Sequence, residues 1–282
     1  MSDDVYAHCQ ALVRASDKDR FVASLFAPAD RHRHLFALYA FNLEIARIGE
    51  LVQEPLPGEI RLQWWHDALT GIASKEVIGH PVAGALIDTL DRCRLSAQPL
   101  LDLIEARRFD VYREPMSSLA DFDDYVRKTS SALFAMAARV LAWDQRELAP
   151  AAESAGLAYG TAALANAVHV HALRGRVYVP AEILDRHGLT AADLLAGHTP
   201  PALRAALSEL TSHARRHFDA FRNSAERLPP EALPAFLPVA IVPSMLRGVR
   251  RRHPRHRSAL GESPLVRLSA ILMTRWFGFR RP

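Results

Sequence analysis

The sequence predicts an all-α fold built as a single domain, and three features of the 282 residues lead to this prediction. Apolar residues recur at spacings of three and four along most of the chain, which is the period of a helix buried on one face. Alternation of period two, which a half-buried strand would show, is confined to a few residues near 177–179. Prolines separate the periodic segments, because proline lacks an N–H and restricts the residue before it.

The predicted helices, in chain order, are 3–15, 30–53, 59–74, 80–94, 98–112, 119–142, 151–173, 181–187, 192–196, 201–227, 231–251 and 263–277. The predicted breaks lie at the proline positions 55–58, 81, 99, 115, 150, 180, 200–201 and 229–230. These segments form one domain spanning 1–282, with its core at about 15–250 and a basic amphipathic segment at 247–282.

The helix at 30–53 carries two adjacent stripes at helical spacing. The apolar stripe consists of Leu38, Phe41, Ile45, Ile48 and Val52. The neighbouring stripe consists of Tyr39, Asn42, Ala46, Gly49, Glu50 and Gln53. Because the second stripe is too small and polar to be ordinary core, it marks a candidate site.

Two further helices carry unusual positions. Asp121, Asp123 and Asp124 fall in the first turn of the helix at 119–142, where the helix dipole favours anions. We interpret them as a helix start in preference to a metal site. Small residues follow one side of the helix at 151–173, where another helix or a ligand can approach the backbone closely. They are Gly156, Gly160, Ala163 and Ala167, followed by His171.

Several kinds of site are excluded by motif. The chain has no GxSxG, no glycine-rich phosphate loop, no HExxH and no CxxC. His169 and His171 are two residues apart, so on a helix they point in nearly opposite directions and cannot hold one metal. His32 and His34 fail for the same reason.

Composition indicates a protein of the cytoplasm. The formal net charge is only +4, which does not indicate a nucleic-acid partner. Cys9 and Cys93 are too few for a disulfide framework and are interpreted as reduced thiols. Residues 1–20 contain early acidic residues and no apolar core, so they predict neither a secretory signal nor a membrane span. No run of about 18 apolar residues occurs elsewhere.

The C-terminal segment 247–282 is basic and amphipathic. It begins with RGVRRRHPRHR at 247–257. The residues that could share an apolar face after this run are Leu265, Leu268, Ile271, Leu272, Trp276 and Phe279. An arginine-flanked helix that ends in Trp and Phe suits the surface of an anionic membrane. The alternative, which we prefer slightly, is a closing helix packed on the bundle beside a solvated run of charge.

Six stretches, in their order along the chain, resemble the squalene and phytoene synthases, which are head-to-head prenyltransferases. They are LFALYAFNLEIARIGE, RLQWW, HPVAGAL, DDYVRKTSSALFAMAARVL, GLAYGTAALANAVHVHALRGRVYVP and ALPAFLPVAIVPSML. The resemblance covers about residues 15–250. It implies an isoprenoid-synthase-type helical bundle around a central cavity. In that family, two aspartate-rich motifs on facing helices hold the Mg²⁺ that binds the diphosphate of the substrate and helps it leave.

Other residues occupy those aspartate positions in this chain. The resemblance places the first motif on Ala46, Arg47 and Glu50, and the second on Ala167 and His171. A single carboxylate beside an arginine should not hold a Mg²⁺ cluster, because the arginine reverses the local charge. We therefore expect the fold without the reaction, with no catalytic residues, no metal and no cofactor.

Two longer stretches, DKDRFVASLFAP and AFNLEIARI followed by EPLPGEIRLQWW, together with LRGRVYVPAEIL, are similar to one branch of the family. That branch comprises a complex I assembly factor of mitochondria and its bacterial relatives. The similarity implies a role in assembling respiratory complex I, the NADH:quinone oxidoreductase, with its subunits or assembly intermediates as partners. The expected location is the cytoplasm, with peripheral contact to the cytoplasmic face of the inner membrane through 247–282.

Two alternatives stay open. One is a prenyltransferase with a metal site rearranged around Glu44, Glu50 and Glu54, the only case in which Mg²⁺ would be a cofactor. The other is a metal-free binder of an isoprenoid or lipid phosphate, whose oxygens arginine can meet with two donors at once. Its candidate residues are Tyr39, Asn42, Arg47, His171, Arg174, Arg176 and Tyr178. A plainer interpretation, which we prefer to the metal-free binder, pairs Arg47 with Glu50 or Glu44 and simply buries His171.

Overall fold

A computed structural model describes residues 3–52, 54–72, 79–142, 148–197, 200–251 and 263–279. All regular secondary structure in these ranges is helical, which confirms the predicted all-α fold. Residues 177–179 lie in a loop between two helices. Within the same ranges, no helix has the length and apolar character needed to cross a membrane. Position 53, positions 73–74 and most of the basic run at 247–257 lie outside the described residues.

The helices are α1 (Asp3–Ser16), α2 (Lys18–Ser24), α3 (Ala29–Leu51), α4 (Pro55–Thr70), α5 (Pro81–Arg92), α6 (Gln98–Arg107), α7 (Leu119–Val126), α8 (Ala132–Leu141), α9 (Leu148–Asn166), α10 (Val168–Leu173), α11 (Ala181–Arg186), α12 (Ala191–Leu195), α13 (Pro201–Ala225), α14 (Leu233–Phe236), α15 (Val242–Arg251) and α16 (Pro264–Phe277). Tight 3₁₀ turns follow α6 and α14, at Arg108–Asp110 and Leu237–Ile241. A π-helical turn, Arg127–Ser131, joins α7 to α8.

The structure differs from the predicted helices at two places in the N-terminal half. The short helix α2 was not predicted, and the Asp17 carboxylate begins it by accepting hydrogen bonds from the Arg20 N–H (3.0 Å) and guanidinium (2.7 Å). The predicted break at 55–58 is instead the first turn of α4. Pro55 occupies the start of that helix, where a missing N–H removes no hydrogen bond.

Two long predicted helices are also interrupted. The segment predicted as 151–173 divides at Ala167, whose φ of −98° and ψ of 7° leave the helical range between α9 and α10. The segment predicted as 231–251 starts with α14 and a 3₁₀ turn, because Pro234 and Pro238 supply no donor for regular α-helical hydrogen bonds.

The acidic start of α7 has two roles. Ser118 and Asp121 form a reciprocal capping box, with Ser118 Oγ accepting from the Asp121 N–H at 3.1 Å and Asp121 accepting from the Ser118 N–H at 3.0 Å. Asp124 pairs with Lys128 one turn later, at 2.7 Å. Asp123 instead accepts a hydrogen bond from His213 of α13, so the interpretation as a helix start holds for only part of this group.

Helix α9 lies at the centre of the bundle and packs on α8, α13, α15 and the π-helical turn. Two of its small residues, Gly156 and Gly160, admit that turn and the end of α7. A Cβ added at Gly156 would overlap the Ser131 backbone, and one added at Gly160 would lie 2.6 Å from Val126 Cγ1. Close helix packing therefore explains the small residues at these two positions of the stripe.

Candidate functional site

The end of α3 contacts the segment that follows α10, and we call this contact region the α3–α10 contact. The Arg174 guanidinium pairs with the Glu50 carboxylate, and Arg176 donates a hydrogen bond to the Gly49 carbonyl. The two regions that carry the family's motif positions therefore meet through arginine contacts.

Gly49 is small because other groups press on its backbone. A Cβ at this position would lie 2.6 Å from Arg176 Nη1 and 2.8 Å from Asp110 Cβ. Real Cβ atoms do not approach other atoms this closely, so a side chain at Gly49 would push the two residues away. The neighbouring Ala46 is half-buried on the same helix.

Arg47 does not take part in the α3–α10 contact. Its side chain is exposed and donates to Ser16 Oγ at the end of α1, at 2.7 Å. The plainer interpretation paired Arg47 with Glu50 or Glu44. Its Glu50 alternative is wrong, because Glu50 pairs with Arg174 instead. The reason is that α3 presents Arg47 to α1, whereas Glu50 lies within reach of the loop after α10.

A buried carboxylate, Asp110, lies beneath the α3–α10 contact. It is 3% exposed and accepts hydrogen bonds from Arg107 Nη1 at 2.8 Å, the Tyr125 hydroxyl at 2.9 Å and the Tyr178 hydroxyl at 2.8 Å. Arg107 also donates to the Tyr125 oxygen at 2.7 Å. Three donors engage this carboxylate, and one of them, Arg107, also supplies the counter-charge.

The tyrosines of this cluster stay protonated. Burial raises the pKa of Tyr125 and of Tyr178, and the Asp110 carboxylate that accepts their hydrogen bonds acts in the same direction. Both hydroxyls are therefore permanent donors to Asp110. Tyr178 is among the residues predicted from the sequence, whereas Arg107, Asp110 and Tyr125 are not. The spacing of three between Arg107 and Asp110 is the local signal that could have identified that pair.

His171 is a neutral side chain in contact with this cluster. Its ring centroid lies 4.6 Å from that of Tyr178, edge to face. Burial lowers the pKa of His171 to about 4, with Arg174 and Arg176 acting in the same direction and Asp110 opposing them. The second motif thus presents an uncharged imidazole, and Ala167 lies at the break between α9 and α10.

Two other selected residues lie deeper in the bundle. Tyr39 is buried and faces Arg20, whose guanidinium carbon lies 5.5 Å from the Tyr39 ring centroid and 5.0 Å from that of Tyr159. Asn42 is buried, and its Oδ1 atom has no hydrogen-bond partner within the described part of the chain.

The C-terminal helix α16 is docked on the bundle. Ile271 is 1% exposed, Arg267 pairs with Asp19 of α2, and the Phe279 ring lies 4.7 Å from Phe221. The preferred prediction of a closing helix is therefore confirmed for this face.

The same helix presents a second, outward apolar face, which we call the outer stripe. It consists of Leu265, Val266, Leu272, Met273, Trp276 and Phe277. Leu265 and Trp276 are 74% and 75% exposed. The predicted single face is therefore wrong, because its members divide between the bundle (Ile271, Phe279) and solvent. A contiguous exposed stripe of this kind is typical of an interaction surface.

Comparison with known proteins relates this geometry to a family. The family model described as squalene/phytoene synthase matches residues 13–269. Complex I assembly factor 6 of Rattus norvegicus is 28% identical over 248 residues, which cover 88% of this chain and 74% of that protein. The 15-cis-phytoene synthase of Synechocystis sp. is 27% identical over 235 residues, covering 77% of this chain and 68% of that enzyme.

Solved structures agree on the fold. The squalene synthase HpnC of Alicyclobacillus acidocaldarius superposes with a TM-score of 0.74 at 24% identity, covering 88% of this chain and 94% of that one. A dehydrosqualene synthase superposes with a TM-score of 0.75 at 16% identity, covering 97% and 96%. With a family model matched over most of its length and this shared fold, the chain belongs to the squalene/phytoene synthase family.

Proposed function

We propose that this protein is a non-catalytic member of its family that acts in the assembly of respiratory complex I. One observation carries the proposal: Glu50, the one carboxylate at the motif positions, is paired with Arg174, and Arg176 holds the carbonyl of the adjacent Gly49. The similarity to a relative named as a complex I assembly factor supports the assembly role. The partners would be complex I subunits or assembly intermediates.

The residues at the motif positions do not fit a Mg²⁺ cluster. Mg²⁺ takes hard oxygen ligands in near-octahedral geometry, and a departing diphosphate needs its charge neutralised. Glu50 is the one carboxylate at these positions, and it is already paired with Arg174. Asp110 lies nearby, but its oxygens are engaged by three protein donors. This donor set argues against prenyl transfer.

The same contacts weigh against a metal-free phosphate binder. Arg174 and Arg176, its main candidate cations, are held by Glu50 and the Gly49 carbonyl. A phosphate would have to displace both contacts. His171 adds no charge at neutral pH, because its pKa is lowered to about 4.

We propose further that the protein works at the surface of an anionic membrane, on the inner membrane, and that the outer stripe makes the contact. The stripe ends in Trp276 and Phe277, side chains that suit the headgroup boundary. Arg275 lies beside Trp276, and the arginine-rich run at 247–257 precedes the helix in sequence. Apolar anchors flanked by arginine are complementary to anionic lipid.

The assembly role is tested by deleting the gene in its host and measuring complex I on native gels. We expect the assembled complex to fall and a plasmid copy of the gene to restore it. Unchanged complex I in the deletion strain would refute the assembly role while leaving the fold assignment intact.

The membrane role is tested separately, by co-sedimentation with vesicles of phosphatidylcholine alone or mixed with phosphatidylglycerol. We expect binding to the mixed vesicles, and its loss in a Trp276→Ser, Phe277→Ser double variant. Leu173, which is 80% exposed elsewhere on the surface, provides the control: Leu173→Ser should bind as the parent does. Equal binding by the double variant would remove the outer stripe from the proposal.

A further inference from the structure

Helices α7 and α13 bring three metal-ligating side chains together outside the motif region. His213 and His217 lie one turn apart on α13, so their rings project from the same side of the helix. Asp123 of α7 faces them, and one ligand atom from each residue lies within 4.8 Å of the other two. His213 is buried, and Asp123 and His217 are half-buried.

We propose that Asp123, His213 and His217 form a site for a divalent transition-metal ion, with Zn²⁺ as the ion these donors fit best. Two imidazole nitrogens and a carboxylate oxygen are a ligand set that Zn²⁺ takes, with a fourth position left to water. This site is separate from the contacts at the family's motif positions.

The distances already approximate those of a tetrahedral site. With metal–nitrogen bonds of about 2.0–2.1 Å, ligand atoms at two corners of a tetrahedron lie about 3.3 Å apart. His213 Nε2 and His217 Nε2 are 3.2 Å apart. Asp123 Oδ1 and His213 Nε2 are 2.8 Å apart, a hydrogen-bond distance that must open by about half an ångström.

Arg216 is the group that opposes metal binding. Its Nη2 lies 3.1 Å from His213 Nδ1, and because a guanidinium only donates, Nδ1 must accept. Nε2 therefore carries a proton and donates it to Asp123. When a metal binds Nε2, that proton leaves, Nδ1 takes one up from solvent, and no net proton is released. The exposed Arg216 side chain must then turn away.

A second cation nearby is already paired. Arg127 adds positive charge around His217, but its guanidinium pairs with Glu153 at 2.9 Å. The bound ion would link α7 to α13, both of which contact α9.

The test uses the full chain, stripped with EDTA, and titrated with CoCl₂ and ZnCl₂. We expect one equivalent of Co²⁺ to give the visible absorption of a tetrahedral complex, and Zn²⁺ to displace it. His217→Ala and Asp123→Asn should each weaken metal binding by more than about 100-fold. Loss of a residue that only supports a ligand costs about 10–100-fold in metal affinity, and loss of the ligand itself should cost more. Arg216→Gln should tighten binding by about tenfold.

The control is His187→Gln, which alters another half-buried histidine paired with a carboxylate, Glu209, at 3.1 Å. It should bind Co²⁺ as the parent does. Circular dichroism of each metal-free variant checks that it folds, and Asp123→Asn preserves the volume of the side chain. The proposal is overturned if the parent gives no tetrahedral Co²⁺ spectrum, or if folded His217→Ala and Asp123→Asn bind as tightly as the parent.

Discussion

Replacing Asp110 by asparagine should destabilise the protein far more than the same change at an exposed carboxylate. Asp110 is 3% exposed, and its two oxygens accept from Arg107, Tyr125 and Tyr178. Asparagine keeps the volume but turns one acceptor into a donor and removes the negative charge. Arg107, whose side chain is only 17% exposed, would then lose the carboxylate that neutralises it.

The expected loss follows from the burial of the pair. Removing one partner of a buried ion pair costs about 3–5 kcal/mol, against a typical total stability of about 5–15 kcal/mol. Asp124→Asn is the matched control, because Asp124 also pairs with a cation one turn away, Lys128, but both side chains are about half-exposed. That change should cost less than about 1 kcal/mol.

The assay is denaturant unfolding followed by circular dichroism, with the free energy of unfolding extrapolated to zero denaturant. We expect Asp110→Asn to lower that free energy by several kcal/mol at an unchanged slope, while Asp124→Asn leaves it nearly unchanged. Equal and small losses in the two variants would refute the conclusion that Asp110 and Arg107 form a buried pair.

Two further predictions concern packing and protonation. Gly156→Ala should lower the free energy of unfolding by about 1–3 kcal/mol, because its Cβ would overlap the backbone of Ser131. Gly160→Ala should cost less, because its Cβ would meet only side chains. Equal free energies of unfolding for the two variants would contradict this packing. The free energy of unfolding should also fall by up to about 3 kcal/mol as pH drops from 6.5 to 4. The pKa of His171 is about 4 in the folded protein, so the unfolded chain takes up this proton at a higher pH. A His171→Gln variant whose stability has the same pH profile as the parent would refute this.

The helices could largely be predicted from the sequence because their periodicity and proline breaks are local. Helix α2 was missed because it has only seven residues, too few to establish a period. The break assigned at 55–58 was wrong because a proline at the first helical position is compatible with helix, and sequence alone does not fix which side of a boundary it occupies.

The candidate site was harder to predict because its central group is defined by distant residues. Asp110 reads in sequence as an ordinary partner for Arg107, and its burial depends on Tyr125 and Tyr178, which are 15 and 68 residues away. The same holds for Asp123, whose partner His213 is 90 residues distant. The family resemblance did locate Glu50 and Arg176, and the metal-free alternative named Arg174. Neither predicted the contacts that these residues make with each other and with Gly49.

The most direct test of the central claim is pyrophosphate release by the purified protein with farnesyl diphosphate and Mg²⁺. The contacts at the motif positions predict no release above a control without protein, while an active squalene synthase assayed in parallel releases it readily. Mg²⁺-dependent release by this protein that Glu50→Gln abolishes would contradict the account, because Glu50 would then be acting as a metal ligand instead of the partner of Arg174.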